Sequence, residues 1–191
     1  MARSALSALT LLAGPGSFVT SELAEQSAGA ATLRPGGETT SMPGEVLVDT
    51  NVVVYAYDPR DSSKQAKALS TLDHLVRTGV GRLSTQVLGE FFVTATQKLD
   101  PPLTAAEGYE QVEALAMAWP ILSIAPLVPL EAARGARDHR LPYWDAQLWA
   151  TARLNQVPTV LTEDEDLADR TLEGVRFVNP FSSAFTLASL R

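Results

Sequence analysis

Acidic side chains occur at four well-separated points of this sequence, each at the edge of a run of apolar residues. Carboxylates delivered from several different elements are what a protein needs to hold hard divalent cations such as Mg²⁺ or Mn²⁺. The spacing of these acids therefore suggests a metal-dependent nuclease. The candidate metal ligands are Asp49, Glu90, Asp145, Asp164 and Asp166.

Each acid, taken alone, also fits a simpler structural explanation. Asp49 stands where a side-chain cap would precede a helix starting at Asn51. An acid in the first turn of a helix, as expected for Asp145, is favoured by the helix dipole. The run 163–166 has the composition of a solvated turn, although it begins where an apolar strand ends. Only the joint arrangement favours a site over these local roles.

The remaining acid, Glu90, lies on a predicted helix whose polar residues form a single stripe. That stripe is either ordinary solvated surface or one wall of a cleft, and the functional interpretation needs the cleft. The members of the stripe are Gln86, Glu90, Thr94 and Gln97.

Other residues near the acids have types that suit a site. The aromatic pair Tyr143 and Trp144 is expected to help bury and orient Asp145, which follows it directly. Neutral side-chain oxygens beside the acids would orient waters or carboxylates; these supporting residues are Thr50, Asn51, Ser84 and Thr162. A basic cluster upstream could contact phosphates, although the exposed face of a helix is the simpler explanation; it comprises Arg134, Arg137, His139 and Arg140.

From residue 45 onward the pattern alternates strands and helices, which predicts an α/β fold with a parallel sheet. Asp49 and the run 163–166 each follow a predicted strand, and open α/β sheets place ligand sites at the carboxyl ends of their strands. The predicted strands are Val46–Val48, Arg82–Ser84, Thr159–Thr162 and Val175–Val178. The predicted helices cover 62–78, about 85–98, about 105–118 after a capping box at 104–107, about 130–139 and about 144–155.

Composition limits the function further. With 191 residues the chain has the length of one ordinary domain. It contains no cysteine, which excludes disulfides, thiolate zinc sites and cysteine nucleophiles and fits a cytoplasmic location. No apolar run reaches the roughly 18 residues of a membrane span. The formal net charge of −7 does not exclude a nucleic-acid substrate, because bound divalent cations would offset much of it.

Residues 1–41 differ in kind from the rest, being rich in Ser, Ala, Gly and Thr. They fit a weak signal peptide, a disordered tail, or an extension that arises from a misassigned start. We favour the third explanation, because Met42 lies just before the first strand, where a compact domain would begin. The folded domain is therefore expected to span residues 42–191.

Four segments in order resemble a PIN domain of the VapC toxin type, over about residues 45–181. They are 48–51, 84–91, 144–150 and 161–164, and residues 178–181 resemble the usual ending of the family. The resemblance implies a three-layer α/β sandwich with a central, mainly parallel sheet flanked by helices. It matches Asp49, Glu90, Asp145 and Asp164 to the acidic metal cluster of the family, and Asp166 to an acid that some members add.

The same resemblance implies a function. It indicates an endoribonuclease that uses Mg²⁺, or Mn²⁺, to hydrolyse RNA phosphodiesters, and that acts as the toxin of a type II toxin–antitoxin pair. The implied partners are the RNA substrate, an antitoxin whose tail fills the active groove, and a second copy in a homodimer, with no membrane.

Two rival functions remain open at this stage. A non-catalytic PIN-like module would bind RNA or a protein, although none of the candidate acids is missing. A phosphatase of the haloacid dehalogenase type would use a strand-end aspartate as nucleophile and a second acid two residues later. That second position is Asn51 in this sequence.

Overall fold

The structure is a computed structural model that describes residues 44–190. The predictions for residues 1–41, and for Met42 as the start, lie outside the described residues. The strands are β1 Val46–Val48, β2 Gly81–Ser84, β3 Ile121–Leu122, β4 Thr159–Leu161, β5 Thr171–Leu172 and β6 Val175–Val178. The helices are α1 Thr50–Tyr55, α2 Ser62–Thr78, α3 Thr85–Gln97, α4 Ala105–Ala118, α5 Leu127–His139 and α6 Tyr143–Leu154, with a 3₁₀ turn at Leu187–Leu190.

The strands described above form one sheet in the order β3-β2-β1-β4-β6-β5. Neighbouring strands are parallel from β3 to β6, and only β5 runs antiparallel to its neighbour β6. β1 lies between β2 and β4, and every residue of β1 and β4 is buried. Fully apolar, doubly covered strands are typical of a parallel sheet with helices on its faces. The predicted α/β fold, with a mainly parallel sheet flanked by helices, is confirmed.

Local sequence signals set most helix boundaries. Helix α2 has the predicted bounds, with the Asp61 side chain capping its first turn and Gly79 in the left-handed region at φ 72° after its end. The predicted capping box between Thr104 and Glu107 is present at the start of α4. Helix α5 begins at Leu127, three residues before the predicted start near 130.

Two strands were not predicted from the sequence. Both β3 and β5 are two residues long, which is too short to show the alternation that identifies a strand. They extend the two edges of the sheet and leave β1 and β4 at its centre. No helix within residues 44–190 is long and apolar enough to cross a membrane.

Candidate functional site

The carboxyl ends of β1 and β4 lie side by side, because Val48 is in register with Leu161. Asp49 continues this pairing, and its backbone N–H donates to the carbonyl of Leu161 at 2.9 Å. The buried hydroxyl of Thr162 then donates to Asp49 Oδ2 at 2.7 Å. Parallel pairing therefore places a supporting residue from the second half of the chain against the first acid.

Asp49 is held by hydrogen bonds on both carboxylate oxygens. Its Oδ1 accepts from the backbone N–H of Thr50 at 2.6 Å, as the cap of α1. Its Oδ2 also accepts from Asn51 Nδ2 at 2.7 Å, and the same nitrogen lies 3.0 Å from Thr162 Oγ1. The capping role weighed in the sequence is therefore real, and the other hydrogen bonds fix the orientation of the same carboxylate.

Glu90 is fixed from two sides within α3. The Thr50 hydroxyl donates to its Oε2 at 2.7 Å, and Gln86 Nε2 donates to its Oε1 at 3.0 Å. Gln86 is buried; it also donates to the carbonyl of Trp144 at 3.1 Å and accepts from Gln147 Nε2 at 3.0 Å. Helices α1, α3 and α6 are thus joined by polar contacts around one carboxylate.

Asp145 lies in the first turn of α6 and is partly buried. The aromatic rings before it are exposed, Tyr143 by 41% and Trp144 by 61%, and their centroids are 5.3 Å apart at an angle of 75°. The pair forms exposed surface beside Asp145, and its role in burying and orienting that carboxylate stays a prediction.

The loop after β4 carries the last two acids. The backbone N–H of Asp164 donates to Thr162 Oγ1 at 3.1 Å, and Asp164 Oδ1 accepts from the backbone N–H of Asp166 at 2.8 Å. This side-chain turn fixes the loop locally. Because Thr162 Oγ1 contacts both Asp49 and Asp164, one hydroxyl joins the two strand-end acids.

Electrostatic coupling shows which acids share a region; we call Asp49, Glu90, Asp145, Asp164 and Asp166 the acidic cluster. Burial is the main cause that raises the pKa of Asp49 to about 6, and the charges of Glu90 and Asp145 contribute to the rise. Hydrogen bonds from Thr162 and Thr50 act in the opposite direction and lower this pKa. Burial is also the main cause that raises the pKa of Asp145 to about 6, and the charges of Asp164, Glu90 and Asp166 contribute in that order. Carboxylates that share a site resist full ionisation in this way.

Two open clefts reach the acidic cluster. One, of about 440 Å³, is lined by Asp49 and Glu90 together with Thr94 and parts of α1 and α3. The polar stripe of α3 therefore lines a cleft at Glu90 and Thr94, as the functional interpretation requires, whereas Gln86 is buried. The other cleft, of about 520 Å³, is lined by Asn51, Lys64 and residues 163–166.

The donor set has the chemistry of a site for a hard cation. Carboxylate and hydroxyl oxygens are the ligands that Mg²⁺ and Mn²⁺ prefer, and a divalent charge would relieve the repulsion within the acidic cluster. Among residues 44–190, however, no three acidic or histidine side chains are arranged so that they could hold a metal ion. The residues are therefore of the types that bind such an ion, but their carboxylates are not arranged as a ligand shell around one point.

One predicted supporting residue has a different role. The Ser84 hydroxyl is fully buried and accepts from the backbone N–H of Val87 at 3.2 Å, as the cap of α3. Ser84 therefore positions Glu90 through the start of its helix. The other three supporting residues, Thr50, Asn51 and Thr162, each bond directly to an acid of the cluster.

A polar triad beside the cluster was missed in the sequence. Lys64 Nζ donates to Tyr55 Oη at 2.9 Å and to Glu163 Oε2 at 2.7 Å, and the Tyr55 hydroxyl donates to Glu163 Oε1. These bonds raise the pKa of Lys64, mainly through Glu163. Glu163 is thus paired with a cation, unlike the neighbouring Asp164. No local pattern could reveal a contact across 99 positions.

The basic cluster on α5 is largely neutralised by acids. Arg134 pairs with Glu131 at 2.7 Å and with Glu173 at 2.8 Å, and His139 Nε2 lies 2.9 Å from Glu173 Oε1. Arg137 pairs with the adjacent Asp138 at 2.6 Å. These contacts favour a structural role for the helix surface over contact with phosphates.

Comparison with known families gives one match. The family model described as PIN domain matches residues 46–171. That range contains every member of the acidic cluster and ends at β5. Among curated proteins no match was found.

The solved structures to which this chain is similar are distant in sequence. VapBC2 from Rickettsia felis, bound to a DNA fragment from its promoter, is 14% identical with a TM-score of 0.53, covering 70% of this chain and 97% of that one. FitAB bound to the IR36 DNA fragment is 22% identical with a TM-score of 0.52, covering 72% and 96%. The Mycobacterium tuberculosis toxin VapC20, described as cleaving the sarcin-ricin loop, is 15% identical with a TM-score of 0.49, covering 61% and 87%.

Proposed function

This chain belongs to the PIN domain family, and on that premise we propose that it is a metal-dependent endoribonuclease, the toxin of a toxin–antitoxin pair. The observation that carries the proposal is the electrostatic coupling of acids from separate elements. Burial raises the pKa of Asp49 at the end of β1, and the charges of Glu90 on α3 and Asp145 on α6 add to the rise. Burial likewise raises the pKa of Asp145, and the charges of Asp164, Glu90 and Asp166 add to it. Carboxylates with perturbed pKa values at a cleft are typical of functional sites, and a bound cation would offset their repulsion.

The proposed ligands of Mg²⁺ or Mn²⁺ are Asp49, Glu90, Asp145 and Asp164, with Asp166 as a further candidate. When bound, such an ion would lower the pKa of a water molecule and stabilise the charge that develops on a phosphodiester during in-line attack.

The neutral residues around the acids would keep them in place. Thr162 and Asn51 donate to the same oxygen of Asp49, which fixes the rotation of that carboxylate. Thr50 and Gln86 hold one oxygen each of Glu90. Hydrogen bonds of this kind orient ligating carboxylates and typically affect metal affinity by about 10- to 100-fold.

The two rival functions meet different objections. A haloacid dehalogenase-type phosphatase needs an acid where Asn51 stands, and the Asn51 amide instead donates to Asp49 and lies beside Thr162. A binding module would not need the coupled acids, whose mutual repulsion would only destabilise it.

The partners follow from the resemblance to VapC-type toxins. We propose RNA as the substrate, an antitoxin protein as the inhibitor that occupies the cleft at Asp49 and Glu90, and a homodimer as the assembly. A cytoplasmic location follows from the same role.

The test is cleavage of total RNA by the full chain in Mn²⁺ or in EDTA. Discrete fragments should appear only with Mn²⁺. Asp145→Asn should slow cleavage by at least about 100-fold, because several kcal/mol of charge stabilisation is lost and each 1.36 kcal/mol is a factor of ten. Asp73→Asn is the matched control, since Asp73 forms a surface pair with Arg77 on α2.

Other results would redirect the assignment. Intact RNA in the presence of folded protein and Mn²⁺ would point to a binding module. Phosphate release from small phosphoesters would restore the phosphatase. Equal cleavage by wild type and Asp145→Asn would remove Asp145 from the site.

A further inference from the structure

The exposed tryptophan beside the acidic cluster is unlike the other tryptophans of the chain. The sequence has three, of which Trp119 is 5% exposed and Trp149 is fully buried, whereas Trp144 is 61% exposed. Leaving so large an apolar ring in water forgoes about 1.5–3 kcal/mol of burial. The position of this ring beside the candidate site, and not its exposure alone, makes it a candidate for ligand contact. Tyr143, edge-on to Trp144, is 41% exposed and widens the aromatic surface.

The backbone of Trp144 is tied directly to the acidic cluster. Gln86 Nε2 donates both to the Trp144 carbonyl at 3.1 Å and to Glu90 Oε1 at 3.0 Å. Asp145 is the next residue in the chain, within the same first turn of α6. These contacts place the backbone of Trp144 close to both Glu90 and Asp145, so its exposed ring belongs to the surface next to the candidate site.

Charge limits how such a nucleotide can be held. The chain has a formal net charge of −7, and the surroundings of Asp145 are acidic. Phosphate contacts are therefore weak on this side, whereas an aromatic face binds any unpaired base without requiring a positive charge. Bases in a duplex are stacked on one another and are not free to stack on a protein ring.

We infer that Trp144, flanked by Tyr143, is a stacking platform for an unpaired RNA base next to the cleaved bond. The inference rests on the proposed ribonuclease function and extends it to a residue that holds the substrate beside the acids. Such a contact requires a base that is free to stack on the ring.

The test measures RNA binding by the full chain without cleavage, with Ca²⁺ replacing Mg²⁺ and a gel to verify intact RNA. The probe is a labelled, mixed-sequence single-stranded RNA of ten nucleotides, followed by fluorescence anisotropy. Trp144→Ala should raise Kd by about 5- to 150-fold, the loss expected when one stacking partner is removed. Trp144→Phe should restore most of the affinity, whereas Trp144→Leu should not, because leucine lacks a π face.

Intrinsic fluorescence gives a second readout. Because Trp119 and Trp149 are buried, quenching by unlabelled single-stranded RNA reports on Trp144. The quenching should vanish in Trp144→Phe while binding persists, and an equimolar duplex should quench far less. Tyr109→Ala is the matched control, since Tyr109 is 62% exposed on α4 and its hydroxyl bonds only weakly to Glu113, at 3.3 Å.

Each contrary result would contradict one identified part of the inference. Unchanged RNA affinity in Trp144→Ala, or equal rescue by leucine and phenylalanine, would overturn the platform. Conversion of a dimer to a monomer by Trp144→Ala would assign this face to a second copy of the chain and would also overturn it. Failure of the proposed function is a separate outcome, because it appears as intact RNA with wild type in Mn²⁺, whatever the Trp144 variants bind.

Discussion

The two ends of helix α6 carry charged clusters of opposite character. At the first turn, Asp145 belongs to the acidic cluster, where burial and neighbouring carboxylates raise pKa values. At the last turn, about 12 Å further along the helix, Arg153 pairs with Glu131 at 2.7 Å and with Glu173 at 2.9 Å. There the pKa of Glu173 is lowered to about 2, first by a hydrogen bond from Arg134.

The paired end is built around one tryptophan ring. Trp149 is fully buried, and the guanidinium carbons of Arg134 and Arg153 lie 5.1 and 5.8 Å from its ring centroid. We call Glu131, Arg134, His139, Arg153 and Glu173 the ion-pair cluster. Its charges alternate in sign and satisfy one another, so it has little capacity to bind a further ion.

The difference separates the end of α6 that stabilises the fold from the end that carries the proposed function. The ion-pair cluster joins α5, α6 and the β5–β6 turn, and its lowered acid pKa values indicate stabilising contacts. In the acidic cluster the pKa values of Asp49 and Asp145 are raised, which means that the charged forms of these two residues destabilise the fold. Perturbation of this kind at a cleft is typical of a functional site, and we propose that a cation supplies the missing partner there.

The largest expected difference between the acidic cluster and the ion-pair cluster is in how each makes stability depend on pH when no metal is bound. The unfolded chain ionises Asp49 near 3.8, whereas the folded protein holds the proton until about pH 6. The folded state binds more protons in this window, so the free energy of unfolding falls as pH rises from about 4 to 6. At 1.36 kcal/mol per pKa unit, Asp49 contributes up to about 3 kcal/mol of this fall.

Urea unfolding in EDTA between pH 2 and pH 7 measures the contrast. Asp49→Asn should gain stability relative to wild type as pH rises through 4 to 6. Glu173→Gln should change in the opposite sense, losing relative stability as pH rises from about 2 toward 4.5, because Glu173 stabilises the fold only when ionised. A difference between Asp49→Asn and wild type that does not vary with pH would contradict the assigned repulsion.

Bound Mn²⁺ should remove the destabilising effect of the acidic cluster, because the ion supplies a positive partner for the carboxylates. At one hundred times its Kd, an ion that binds only the folded state adds about 2.7 kcal/mol. For a chain of this length that corresponds to a rise in Tm of about 5–10 °C. Asp49→Asn should remove most of the rise, and Glu173→Gln should keep it. Equal shifts in wild type and Asp49→Asn would rule out the acidic cluster as the metal site.

A smaller effect should follow from disturbing the packing under the ion-pair cluster. A Cβ at Gly135 would lie 2.7 Å from Trp149 Cζ3 and 2.8 Å from Cε3, too close for contact. Gly135→Ala should cost about 1–2 kcal/mol, as overpacking outweighs the gain in helix propensity. Cleavage per folded molecule should persist, which separates the two ends of α6.

Gly89→Ala is the control for that substitution. Gly89 is also in a helix, but a Cβ there meets nothing within 4 Å, so the variant should gain up to about 1 kcal/mol from helix propensity alone. Thermal melts of both variants measure the difference. Stabilisation by Gly135→Ala would show that Trp149 moves easily and that the ion-pair cluster is not rigidly packed.

Most of the fold could be read from the sequence, because its signals are local. The apolar run Val46–Val48, the bounds of helix 62–78 and the capping box at Thr104 all depend on residues within a few positions of one another. The strands Ile121–Leu122 and Thr171–Leu172 could not be predicted, because a two-residue strand is defined by its partner.

The site could be predicted only in part. The types and order of the acids identified the candidates Asp49, Glu90, Asp145, Asp164 and Asp166, and their roles as metal ligands stay a prediction. The pairing of Glu163 with Lys64, which sets it apart from Asp164, depends on a contact between distant elements. The exposure of Trp144 likewise depends on what packs against α6.

The sequence by itself determined the alternation of strands and helices and the placement of acids at strand ends and helix starts, since these follow from periodicity and capping. Only the tertiary structure decided which charges are neutralised. Parallel register brings Thr162 to Asp49 across 113 positions, and the tertiary fold brings Arg134 of α5 to Glu173 in the β5–β6 turn across 39. Whether an acid gains a cation or faces another acid depends on such contacts, because electrostatic interactions act through space and not along the chain.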